Sequence, residues 1–328
     1  MAKDKIDLTS TEMAYLWSSY QWGSMNIAIL TYFQEISEDP QVKEQVNIVL
    51  ETSRNHHKQI EVILNADRVP LPRAFTDEDV HIDAKKLYTD EFILFFVWFI
   101  GRGNLAYSAL ALNTAAREDV TRHYEECLAD SVEHVGKSRN LLLEKGLWLR
   151  APYIPVPDHQ EYVQKQSFLN GWFGDKRTLL GMEIGHLFYN IITNSIGLSL
   201  ISSFIQTTSD EEIKTYFKRG KEISDKHIEV FSKVLKDEQL PVPSSWNFGV
   251  TESHEAPFSE KLMLGLITLL NSQGIHNYGV GLATSMRKDI ALHFTRLAAE
   301  ILQYSEDGTN IMIEKGWMEQ PPKAPNRE

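Results

Sequence analysis

Apolar positions between Val42 and Ile63 recur in alternating steps of four and three. Val42, Val46, Val49, Ser53, His56, Ile60 and Ile63 share one stripe, the period of a helix with one face turned inward. Asp39-Pro40, just ahead of it, supplies an N-cap and a proline at the first helical position, and Val69-Pro-Leu-Pro72 ends it. Upstream, Thr9-Ser-Thr-Glu12 spells a capping box, which opens a helix with a mixed apolar face running to about Ile36. A long, poorly periodic stretch then precedes a third helix from near Thr89. A fourth runs from about Glu118 to Gly146, a glycine stop. No segment alternates with the period of a strand.

The second half of the chain repeats this order. Sliding the sequence by 171 positions puts Leu8, Glu12 and Leu16 on Leu179, Glu183 and Leu187, and Glu51, Ser53 and His56 on Glu222, Ser224 and His227. With an offset of 170, Arg117, Asp119 and His123 meet Arg287, Asp289 and His293, and Glu144-Lys-Gly146 meets Glu314-Lys-Gly316. An ordered series of this kind marks a duplication with diverged halves. Second-copy helices are expected from Leu179, Ser209, Ser259 and Arg287.

Short, long, short connections predict an up-down-down-up bundle with one crossover, the ferritin-like arrangement. The expected fold is therefore all-α, two tandem ferritin-like four-helix bundles. The first occupies residues 1–150, a Pro-rich and aromatic linker 151–178, and the second bundle 179–328. The linker opens with the stiff Ala151-Pro-Tyr-Ile-Pro-Val-Pro157. It continues through a short helical stretch, EYVQKQSFL, to Trp172 and Phe173, which are expected to pack against a bundle.

Composition narrows the class of function. Charged residues make up 24% and apolar ones 42%, which suits a globular chain, and a net charge of −12 opposes both nucleic acid and anionic lipid. The most apolar window, Phe92 to Ile100, is nine residues long, far short of the ~20 that span a bilayer, and is expected to be a buried piece of helix three. The N-terminus has no apolar stretch behind its lysines, so no signal peptide is expected and the location expected is cytoplasmic. Cys127 is the one cysteine, expected as a small core residue in a reducing compartment.

The motifs LTSTEMAYLWSSY, RAPYIPVP, QKQSFLNGWFG, GKEISDKHIEVF, LPVPSSW and EDGTNIMIEKGWMEQPP give the chain a family likeness. Over nearly its whole length it resembles a two-repeat family of unknown function from endospore-forming bacteria, grouped with ferritin-like folds and carrying a spore-coat label. The resemblance implies the bundle fold and a place in or near the spore coat. It implies no reaction.

A ferritin-like bundle raises the expectation of a di-metal carboxylate centre, with Glu-x-x-His on two helices. Only Glu78 to His81 and Glu183 to His186 have that spacing, and the former lies in the crossover, so a full di-iron centre is not expected. A smaller site stays open. At 1.5 Å rise per residue, Glu183, His186, His276, His293 and His227 all fall roughly 6–15 Å from one end of the second bundle. Glu183, His186, His227 and His293 could together hold one iron, zinc or manganese ion. The first copy keeps weaker equivalents in Glu12, His56 and His123, with Tyr15 in place of His186 and Leu105 in place of His276.

Each candidate also has a structural reading. Glu12 is the N3 member of its capping box, an explanation that Glu183 lacks because Leu180 stands at the cap. His56 and His227 could be buried neutral histidines bonded to Asp130 and Glu300 on helix four. Asp119 and Asp289 could complement a helix dipole and pair with His123 and His293 one turn on. Three functions follow, of which the third, an apolar ligand binder using the bundle interior, is the weakest because interior helices pack to full density. The first is a soluble structural or interaction protein, coat-associated, with protein partners or self-association and no enzymatic role. The second is a metal-binding protein or metal-dependent oxidoreductase with its site in the second bundle.

Overall fold

The computed structural model describes residues 6–172, 176–243 and 249–325. Among these the chain is all-helical, with eight α-helices: α1 Ser10–Ile36, α2 Pro40–Ala66, α3 Asp90–Leu112, α4 Glu118–Glu144, α5 Gly181–Thr207, α6 Glu211–Asp237, α7 Glu260–Thr284 and α8 Lys288–Glu314. The caps fall where local chemistry puts them. Thr9 and Glu12 form the reciprocal box on α1. The Asp39 carboxylate accepts from the N–H groups of Gln41 and Val42 ahead of Pro40, and Thr89 caps α3. Gly146 and Gly316 adopt φ of 68° and 70°, the left-handed conformation that ends α4 and α8 without a Cβ penalty.

The chain forms two compact units: Met1–Trp148 with Thr251–Met263 and Lys315–Glu328, and Leu149–Val250 with Leu264–Glu314. These differ from the copies in sequence, because two pieces of the second copy belong to the first unit. In unit 1, α1 packs on α2, α3 on α4, and α2 touches both α3 and α4. The window Phe92 to Ile100 is buried throughout in α3. The crossover from α2 to α3 is lined by the segment that begins at Thr251, running antiparallel to it. His81 N–H donates to Pro257 O at 2.8 Å, Thr251 N–H to Leu87 O at 2.9 Å, and Ser259 N–H to Asp79 O at 3.0 Å. Val80 and Phe258 form the bridge between them, and Phe258 sets its ring edge-on to Tyr32 at 5.4 Å.

In unit 2, α5 packs on α6 and α6 on α8. The α6–α8 contact is a reciprocal lock. The Tyr216 and Tyr304 rings stack at 4.2 Å between centroids, 6° from parallel, and each hydroxyl donates to the other residue's carbonyl at 3.2 and 3.3 Å. Each phenol lies over a glycine of the opposite helix. A Cβ on Gly220 would stand 2.6 Å from Tyr304 Cζ, and one on Gly308 2.7 Å from Tyr216 Cζ. The first copy has Gln45 and His134 at the tyrosine positions, and Val49 and Ser138 at the glycine positions. There the bulk lost from the rings is returned by the facing residues. Gly220→Ala is expected to cost about 1–3 kcal/mol through overpacking. Gly136→Ala in α4, with no atom within 4 Å of its Cβ, should instead gain up to about 1 kcal/mol from helix propensity. Thermal melts of the two variants check this, and shifts of the same sign would contradict it.

Two helices, α3 and α5, are long and apolar enough by composition to cross a membrane, but 56% and 67% of their apolar windows are buried inside the fold. The linker departs from expectation. Only Gln166–Leu169 forms a 3₁₀ turn, and Trp172 is 50% exposed instead of packed. Phe173 lies outside the described residues, as does the end of the LPVPSSW motif.

Candidate functional site

Glu12 and Glu183 occupy matching places and do matching work. Glu12, buried in α1, accepts from Thr9 N–H and Thr9 Oγ1 at 2.8 Å, and from the N–H groups of Ala116 and Arg117 at 2.9 and 2.8 Å. Burial would raise its pKa, but those backbone donors and the Thr9 hydroxyl outweigh it and hold the carboxyl at about 2. Glu183, fully buried in α5, accepts from Leu180 N–H at 2.9 Å and from the N–H groups of Met286 and Arg287 at 3.1 and 3.0 Å. The Arg177 guanidinium adds two hydrogen bonds, at 2.8 and 2.7 Å. Here too burial pushes the pKa up, and Arg177 with the backbone donors holds it below the usual carboxylate value. Each carboxylate thus satisfies orphan N–H groups at the starts of two helices, helix one and helix four of its copy. Glu183 is capping its own helix after all, without help from a side chain at Leu180.

The aspartates of the Arg-x-Asp pairs are held by arginine. Arg117 grips Asp119 at 2.7 and 2.9 Å and reaches Asp67 at 2.8 Å. Arg287 bonds Asp289 at 2.9 Å and Glu238 at 2.6 Å. The recurrence of Arg-x-Asp in both copies was a visible signal for this tie. The expected one-turn pairing with histidine is replaced by the closer, charge-assisted bond to arginine.

His227 is the centre of a relay through all four helices of its copy. Glu300 Oε2 lies 3.0 Å from Nε2 and can only accept, so Nε2 carries the proton and Nδ1 accepts from the Tyr278 hydroxyl at 2.8 Å. Tyr278 in turn receives the Asn194 amide at 2.8 Å, and Glu300 receives Lys226 at 2.7 Å. Asn194 stands on α5, His227 on α6, Tyr278 on α7 and Glu300 on α8. The first copy keeps a shorter version, His56 Nε2 bonded to Asp130 at 2.9 Å.

His123 lies beside it, its ring 5.9 Å from that of His56 and edge-on to it. The Gln59 amide donates to Glu126 at 2.9 Å, which turns its Oε1 toward His123 Nδ1 at 2.8 Å. Nδ1 therefore carries the proton, and Nε2 faces Cys127 Sγ at 3.5 Å as an acceptor. The order nucleophile, base, orienting amide is that of a thiol triad. Burial, with Asp130 and Glu126 nearby, pushes the Cys127 thiol up to about 12, and burial drops His123 to about 4. Neither proton transfer nor thiolate chemistry is favoured near neutrality. Cys127 is buried, as its position on α4 implied.

The remaining candidates stand apart. His293 is half-buried on α8, His276 is exposed, and His186 is half-buried with no hydrogen-bond partner for Nε2 among the described residues. His134, which no motif singles out, is buried with neither ring nitrogen partnered among those residues. Among the described residues no three His, Cys, Asp or Glu side chains are grouped so that they could hold a metal ion. Of the set Glu183, His186, His227 and His293, Glu183 bonds Arg177 and backbone N–H groups, and His227 bonds Tyr278 and Glu300. Titration with iron(II), zinc or manganese is expected to leave the melting temperature unchanged. A saturable rise at micromolar metal would reinstate the site.

Two open grooves flank these ties. One, of about 610 Å³, lies between α2 and α4 beside Lys58, Gln59, Arg122, His123 and Glu126. The other, of about 390 Å³, lies between α6 and α8 beside Arg219, Glu222, Lys226 and Glu300. Both mix charges of either sign, and in each the ions are paired at least in part: Arg122 with Glu118, Arg219 with Asp307, and Lys226 with Glu300.

The repeat has a match among known families. A family model described as a protein of unknown function, DUF3231, matches residues 1–159 and again 167–328. The chain belongs to the DUF3231 family. Both copies of this DUF3231 chain are thus recognisable one by one, as the internal offset indicates. A search of curated proteins finds no match. Among solved structures, a similar chain is described as "putative spore coat protein" from Bacillus halodurans C-125. It is 20% identical, covers 48% of the DUF3231 chain and 98% of its own length, and gives a TM-score of 0.39.

Proposed function

We propose that this DUF3231 chain is a structural or interaction protein of the spore, built as two tandem ferritin-like up-down-down-up bundles and associated with the coat after cytoplasmic synthesis. The observation that carries the reading is the use made of the polar interior. Glu12, Glu183, His227 and Glu300, the side chains most suited to catalysis or ligation, are spent on bonds that join helices. A fixed hydrogen-bond network of this kind rigidifies a scaffold. The linker supports the interaction side of the reading. Tyr153, Val156, Tyr162 and Val163 are each more than 60% exposed, an apolar, Pro-stiffened strip suited to a protein partner.

Fractionation of spores with an antibody to the chain tests the proposal. The protein should be extracted with the coat layers, and a pool confined to the mother-cell cytosol would overturn it.

A further inference from the structure

The loop after α2 carries a binding site for a carboxylate. Ala74 is buried and left-handed, with φ of 53°. Successive N–H groups around a left-handed residue converge into a concavity that takes an anion. Here the N–H groups of Arg73 and Ala74 both donate to the Glu319 carboxylate at 2.7 Å, one to each oxygen. The Gln21 amide closes the third side, donating to Oε2 at 2.7 Å. The walls are fixed in turn. Phe75 N–H donates to Ser24 Oγ at 3.2 Å, Ser24 donates to Gln21 O at 2.8 Å, and the Lys261 ammonium donates to Ala74 O. Three donors meet one acid, and both of its oxygens are used.

The acid arrives on the C-terminal tail, beyond the left-handed Gly316 that ends α8. Glu319 itself is partly buried, whereas its neighbours Met318 and Gln320 are exposed. The first copy has Leu149 at the matching position, so this latch belongs to the second copy alone.

We propose that the Arg73–Ala74 nest is an acceptor site for the Glu319 tail, filled within one chain at rest and filled by the tail of a second copy when chains are crowded. The proposal rests on the interaction reading above and names the partner. Exchange of an identical element remakes every hydrogen bond without needing any new surface, so it is a low-cost route to assembly. The tail of the same chain competes at an effective concentration on the order of millimolar, which keeps the dilute protein closed. A glutamine at 319 would turn an NH₂ against N–H donors, so the site discriminates acid from amide.

Full-length Glu319→Ala protein frees the nest while leaving its walls intact. A fluorescein-labelled peptide GWMEQPP should bind this variant at least about tenfold more tightly than wild type, by anisotropy. The peptide GWMQQPP should bind neither protein. In sedimentation carried up to about millimolar protein, dimer should grow with concentration for wild type and not for Glu319→Ala. Equal binding of the two peptides, no binding of GWMEQPP to the variant, or equal self-association of the two proteins would each overturn the proposal. Circular dichroism melts confirm that the variant is folded when these are read. Spore fractionation is an independent measurement, so the coat assignment and the nest can fail separately.

Discussion

Replacing Glu183 by alanine is expected to cost about 3–5 kcal/mol, the loss found when one partner of a buried ion pair is removed. The side chain is fully buried and accepts from Arg177, Leu180, Met286 and Arg287. Deleting it strands a guanidinium that is only 14% exposed, and leaves N–H groups at the starts of α5 and α8 without an acceptor. Glu183→Gln should recover part of the loss, because one oxygen still accepts while the amide faces Arg177 badly. Glu12→Ala should cost less, since Glu12 holds backbone and hydroxyl donors but no arginine. Urea denaturation of the three variants gives the order. A Glu183→Ala protein within about 1 kcal/mol of wild type would refute the tie.

Acid should weaken the fold well before its carboxylates titrate. Burial is the leading cause that lowers the pKa of His57, His123, His134, His186, His227 and His293 from the ordinary 6.5. The unfolded chain therefore binds protons that the folded chain refuses. Stability is complete above about pH 6.5 and falls as the pH drops below it, until each folded-state value is reached. For His123, lowered to about 4, that loss is about 3 kcal/mol by pH 4. The depressed carboxylates act in a second, lower window. Glu12 contributes fully above about 4.5 and is lost toward its folded value of about 2. Melting temperatures at pH 7.5, 6.5, 5.5 and 4.5 should decline from the second point onward, and His123→Gln should flatten the slope. A melting temperature constant down to pH 5 would contradict the burial of neutral imidazoles.

What could be read from the sequence was whatever depends on neighbours along the chain. Thr9 with Glu12, Asp39 with Pro40, Thr89, and the glycines 146 and 316 set helix ends through groups within a few residues, so the eight elements were recoverable. The repeat made one half evidence for the other. The directions of the site residues were not legible in the same way. A rise per residue places a side chain along a helix but says nothing of the direction it faces across the bundle. Glu183, His186, His227 and His293 share a height, yet His227 turns to Tyr278 and Glu300, and Glu183 to Arg177 in the linker. The reading of His56 and His227 as histidines tied to Asp130 and Glu300 needed the same height and one further fact, a carboxylate opposite, and it is the arrangement found.

The strand-like segment from Thr251 has a consequence for anyone who divides this chain. Phe258 is 2% exposed within unit 1, and Ser259, Glu255 and Lys261 bond residues of the first crossover. Cutting at the linker would hand the first copy an uncovered Tyr32 and an Asp79 left with Thr76 but without Ser259 and Lys261. The repeat and the compact body divide the chain differently, and their borders do not coincide. A first copy cut away from the second would lose the segment that covers its crossover.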